Sequence, residues 1–164
     1  MNPSDPALDT EPRTAATTND YNVVMPVLSI RFKRDGAYER LRRYAAEHAE
    51  SASALGERLI DEGLRMAAHP GIVFRAGPTG RRAALAAGPD VWEVVTLLRG
   101  MRGAVEKRVA SAAKQLGLAT TQVRTASRYY TEFRDEIDAE IARNEDAADR
   151  ELATWNAERR LLSG

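Results

Sequence analysis

The chain has 164 residues, 43% apolar and 29% charged, with no cysteine and a formal net charge of zero. That length fits one domain or two small ones, the composition is that of a soluble, mostly helical protein, and the missing cysteine excludes a disulfide framework and a thiolate metal site. No apolar run reaches membrane-spanning length and the N-terminus lacks a basic-then-apolar signal, so no membrane partner and a cytoplasmic location are expected. The zero sum hides an uneven distribution. Residues 67–128 carry ten basic against three acidic side chains, and residues 129–164 carry five against ten. A basic middle and an acidic end point to two kinds of partner, or to an acidic end that covers the basic middle within a dimer.

Residues 1–25 are rich in Pro, Asp, Thr and Ala without any period, the composition of a disordered arm. The next seven alternate: Leu28, Ile30 and Phe32 point one way, and Val27, Ser29, Arg31 and Lys33 the other. A period of two predicts a strand with one buried face. Two helices follow, and no sheet is at hand for a lone strand to join. Its backbone groups need partners, and pairing with the same strand of a second copy supplies them. Asp35 is the expected cap of the first helix, which runs to about His48 with Tyr38, Leu41 and Ala45 on one face. Ser51 is the expected cap of the second, with Ser53 in its first turn and Leu55, Leu59 and Leu64 inward.

Ile72–Arg75 and Arg81–Leu85 read as two short strands around a Gly77–Gly80 turn. Asp90 is placed to cap a helix from Val91 to about Met101 with Trp92, Val95 and Leu98 on its apolar face. Arg102-Gly103 breaks it, and another helix follows from about Ala104 to Leu116. After Gly117-Leu118 a long helix starts at Thr120 or Thr121, with an interruption expected at Asn144. Ala113, Gly117 and Val123 have the spacing of a helix-turn-helix, and Ala112, Leu116, Leu118 and Ala126 are apolar where that motif needs burial. Its outward residues would be Gln122, Arg124, Thr125 and Arg128, which suit groove reading and phosphate contact. A plain helical hairpin has similar spacing. In the acidic end, Trp155, Leu161 and Leu162 are the large apolar groups, fit to meet a partner. Asp135, Glu136, Asp138 and Glu140 read as a solvated face rather than a metal site. No catalytic constellation, cofactor motif or metal-ligand spacing is present: His48 and His69 stand apart, and Ser51 and Ser53 lack a neighbouring base.

Residues 26–67 resemble a ribbon-helix-helix domain of the Arc/MetJ type. That resemblance implies a homodimer whose two strands form a ribbon in the major groove of double-stranded DNA, with Ser29, Arg31 and Lys33 reading bases and the start of the second helix, Ser51, Ala52 and Ser53, holding a phosphate. Residues 69–140 resemble a small winged-helix-like domain found in antitoxins that partner PIN-domain ribonuclease toxins. The matching residues are His69-Pro70-Gly71-Ile72, Gly80-Arg81, Asp90-Val91-Trp92-Glu93-Val94-Val95 and Val123–Tyr130, leading into Asp135-Glu136-Ile137-Asp138. The glycine-rich stretch expected after Pro70-Gly71 is altered to Val73-Phe74-Arg75-Ala76-Gly77-Pro78-Thr79. The expected fold is mainly α with a short β ribbon: an arm over 1–25, a ribbon-helix-helix domain over 26–67, a helix-turn-helix domain over 68–130 and an acidic helical segment over 131–164. The expected function is a sequence-specific, non-enzymatic repressor, the antitoxin of a toxin–antitoxin pair. A free-standing transcription factor and a protein-interaction module are the alternatives.

Overall fold

The computed structural model describes residues 27–34 and 36–163. The chain divides into two units, Met1–Asp35 and Gly36–Gly164. The arm expected over 1–25 and the cap expected at Asp35 lie outside the described residues. In the first unit, residues 27–33 have no regular secondary structure. Leu28 and Ile30 are 73% and 53% exposed. The alternation that predicts a strand specifies its two faces but not its neighbour, and a single chain supplies no ladder partner among the described residues.

The second unit is mainly helical, with one two-stranded antiparallel sheet among the described residues. Helix α1, Ala37–Glu47, starts after Gly36, and α2, Ala52–Ala68, starts at Ser51, whose hydroxyl accepts from the Ala54 amide at 3.1 Å. The face α2 turns inward is the expected one at Leu55 only. Leu55 and Glu62 are buried, whereas Leu59, Ile60 and Leu64 are exposed. The inner side of α2 is organised by ion pairs. Glu62 takes Arg81 at 2.5 and 2.7 Å, and Arg65 reaches Glu136 at 2.6 Å and the Tyr129 hydroxyl at 3.1 Å. The apolar stripe is left on the outside.

Strands β1, Ile72–Gly77, and β2, Gly80–Leu85, pair around Pro78-Thr79, as the turn chemistry predicts. The register sets Arg75 directly opposite Arg82. Two like charges across a ladder repel. Asp90, fully buried, lies between them: Arg75 Nε donates to its Oδ1 at 2.8 Å, and Arg82 pairs with its Oδ2. Arg82 lies so close over Gly77 that a β-carbon there would overlap its guanidinium. Asp90 does occupy the N-cap position of α3, Val91–Gly100, but its side chain makes no cap hydrogen bond. The two guanidinium groups claim it instead.

Helix α4, Val105–Leu116, ends at Gly117, which holds the left-handed conformation (φ 65°) that an L side chain resists. Its amide donates back to the Ala113 carbonyl, and α5, Thr120–Glu132, follows at once. Val109, Ala112, Ala113, Val123, Ala126 and Tyr129 pack with Leu85, Val91, Val94 and Ile72 in one core. The chain then breaks at Phe133 (φ −113°, ψ 44°). There the ring packs against Tyr129, centroids 4.6 Å apart, with the Arg65 guanidinium 4.3 Å above it. The interruption expected at Asn144 does not occur. Its side-chain amide donates to the Glu140 carbonyl within a continuous α6, Arg134–Leu162. At 1.5 Å per residue α6 is about 44 Å long.

Removing one member of a buried ion cluster strands the others without compensation. Asp90→Ala is therefore expected to lower unfolding stability by about 3–5 kcal/mol, read from urea denaturation followed by circular dichroism. A loss below 1 kcal/mol would show that the arginines find other partners.

Candidate nucleic-acid interface

Three surfaces carry the expected contact residues. On the first, Ser29, Arg31 and Lys33 are all exposed in the segment before α1. On the second, at the start of α2, Ser51 spends its hydroxyl on the helix, while the amides of Ala52 and Ser53 lie in the first turn, which helix geometry leaves without intrahelical acceptors. Neighbouring α1 presents Arg40, Arg42 and Arg43, all exposed.

On the third surface the expected residues divide. Gln122 is already engaged: its Oε1 accepts from the Ala119 amide at 2.8 Å and its Nε2 donates to the Ala87 carbonyl at 3.1 Å. It closes the N-terminus of α5 and ties it to the segment before α3, so it is a structural bracket rather than a free base reader. Thr125 turns its hydroxyl onto its own helix, at the Thr121 carbonyl. Arg124 pairs with Glu106, in a largely exposed contact that is readily exchanged. Arg128 is exposed and has no carboxylate partner among the described residues. Arg124 and Arg128 flank a groove of about 200 Å³ lined also by Val105, Val109, Ser127 and Thr131. The sequence pattern placed the start of α5 but neither its end at Glu132 nor the difference between residues that hold the helix and residues that present to solvent.

Of the acidic run at the start of α6, Glu136 serves Arg65 and Asp138 pairs with Arg99, which ties α3 to α6. No group of three metal-capable side chains converges among the described residues. Glu140 faces the core between Ile137 and Ile141, 2% exposed, and its Oε2 meets no donor among the described residues. Further along, α6 carries Leu152, Trp155, Leu161 and Leu162 into solvent. The terminal patch expected from sequence is not a single face. Trp155 and Leu162, seven residues apart, align, whereas Leu161 lies about 120° around the helix from Trp155.

Comparisons with protein-family models, with curated proteins and with solved structures find no match.

Burial, reinforced by the Glu136 carboxylate, pushes Glu140 up to about 7 from an ordinary value of 4.5. The folded value is raised, so the contribution of Glu140 to stability is fully present below about pH 4.5 and is lost as the pH climbs from there through 7 and the buried carboxylate ionises. Glu140→Gln should flatten that decline and exceed the parent protein at pH 8 by on the order of 1–2 kcal/mol. Identical stability–pH curves for the two proteins would remove Glu140 from this role.

Proposed function

We propose that this chain is a homodimeric, sequence-specific DNA-binding repressor with the organisation of a ribbon-helix-helix antitoxin. The observation that carries the reading is the outer face of α2. Gly56, Leu59, Ile60 and Gly63 follow helical spacing along one stripe, with Leu59 48% exposed and open space above both glycines. A helix whose apolar stripe faces away from its own core wants a second helix there, and glycines in that stripe admit close approach. The exposed alternating segment ahead of α1 has the same need. Its exposed Leu28 and Ile30 would be covered, and its backbone groups joined in a ladder, when two copies pair as an antiparallel ribbon. Pairing puts Ser29, Arg31 and Lys33 of both copies on the opposite, polar face, where Arg and Lys match guanine edges. The first-turn amides of α2 then serve a flanking phosphate.

The β1–β2 hairpin with α4 and α5 gives the reading its second part, a winged-helix-like unit with Arg124 and Arg128 toward DNA. The third part is the solvent-borne end of α6, an acid-flanked apolar helix suited to the basic cleft of a ribonuclease toxin. Two-fold symmetry predicts a palindromic operator.

Fluorescence anisotropy on DNA from upstream of the gene, against scrambled DNA across a salt series, tests the reading. Arg31→Ala is expected to weaken operator binding by about 1–3 kcal/mol while leaving scrambled DNA nearly unchanged. Selective binding that survives Arg31→Ala with Lys33→Ala would move recognition to Arg124 and Arg128. Absence of salt-dependent binding to any duplex would overturn the repressor reading.

A further inference from the structure

The face that seats α6 on the body does not stop where the body stops. Ile137 and Ile141 are buried, and Ala148, Leu152, Trp155 and Leu162 continue the same helical stripe with no cover, Trp155 51% exposed. Glu145, Glu151 and Glu158 flank that stripe within about 80° on either side. Arg159 sits within it, its guanidinium 4.6 Å above the Trp155 ring. In-register parallel pairing of two such helix ends would bring Arg159 beside Arg159, whereas the α4–α5 groove offers opposite charge both to Arg159 and to the flanking glutamates.

The α4–α5 groove has the complementary pattern. Val105, largely exposed, and Val109 form an apolar floor, Arg124 and Arg128 stand on one rim, and Glu106 stands next to Arg124. At about 200 Å³ it is smaller than the roughly 300–1,000 Å³ of small-molecule clefts. It suits one or two side chains projected from a helix. The α6 end cannot return to this groove in its own chain without breaking a helix that runs unbroken to Leu162.

We infer that the Leu152–Leu162 end of α6 docks into the α4–α5 groove of a second copy of this chain, with Trp155 over Val105 and Val109, Glu151 and Glu158 toward Arg124 and Arg128, and Arg159 toward Glu106. Docking covers the two arginines offered to DNA, so the acidic end acts as an internal competitor until another partner captures it. The competition rests on the proposed DNA role of that face; the docking does not.

Sedimentation velocity of the full chain without DNA tests the docking. Trp155→Ala, Arg128→Glu and the pair Glu151→Arg with Glu158→Arg all alter exposed positions, so circular dichroism should stay unchanged. Each is expected to weaken self-association on the order of tenfold, by loss of an aromatic anchor or of charge complementarity. An equimolar mixture of the Arg128→Glu protein with the Glu151→Arg, Glu158→Arg protein should restore association between unlike copies. If Trp155→Ala associates like the parent protein, or the mixture behaves as the sum of its parts, the docking is overturned. DNA affinity separates the two ideas. Tighter promoter binding by Trp155→Ala supports competition, whereas lost association with unchanged DNA affinity keeps the docking and overturns the DNA role of Arg124 and Arg128.

Discussion

The buried Asp90 carboxylate, held between Arg75 and Arg82, is the constraint on which the second unit depends. A two-stranded hairpin alone is marginal in water. This one also places two arginines opposite each other. The carboxylate at the entry to α3 turns that repulsion into a clamp, fixes the hairpin against α3, and leaves Leu85 and Ile72 facing the α3–α5 core. From the hairpin the lacing runs outward: Arg81 to Glu62 fastens α2, Arg65 joins α2 to α5 and α6 through Tyr129 and Glu136, and Arg99 ties α3 to α6. Arginine suits each of these sites because its fork satisfies two acceptors at once. Part of the basic charge is spent on holding the fold: Arg65, Arg75, Arg81, Arg82 and Arg99 are each paired with a carboxylate of the same unit.

Much of this unit was legible in the residues. The Gly77–Gly80 turn chemistry located the hairpin, and the small residue at Ala113, the glycine at 117 and the branched Val123 located the α4–α5 corner with its αL turn. The clamp was legible in principle. Positions 75 and 82 are equidistant from the turn, so the register makes them neighbours, and a cross-strand arginine pair requires an acid. What escaped was which face goes where. Leu55 and Leu59, four residues apart, satisfy one helical apolar period, yet Leu55 is buried and Leu59 is half exposed. Only the positions of Arg81 and Glu136, far away in sequence, decide that the first is buried. Likewise Asn144 carried a breaking signal, but the break falls at Phe133, where burying an aromatic ring against Tyr129 and Arg65 outweighs local propensity. For residues 27–33 the period of two describes the two faces of a strand but names no neighbour, and the segment has no regular secondary structure in the single chain. Among the candidate contact residues, Gln122 has the chemistry of a reader and the geometry of a bracket, a distinction made by the Ala87 carbonyl 35 positions away.

The functional account follows from what the fold leaves over. With the inner faces closed by ion pairs and a shared apolar core, three features stay exposed among the described residues: the outer stripe of α2, Leu28 and Ile30 ahead of α1, and the far end of α6. The proposed dimer through the ribbon and α2, with the α6 ends directed to basic grooves, would cover all three.

Hydrogen exchange across residues 27–33 of the full chain, followed by mass spectrometry over a dilution series, tests the central claim most directly. An intermolecular ribbon predicts amide protection in this segment that is strong at high concentration and lost together with dimer dissociation. Exchange at the rate of an unstructured peptide at concentrations where the protein is dimeric would contradict it, because the dimer would then be formed without the strand that is to enter the groove.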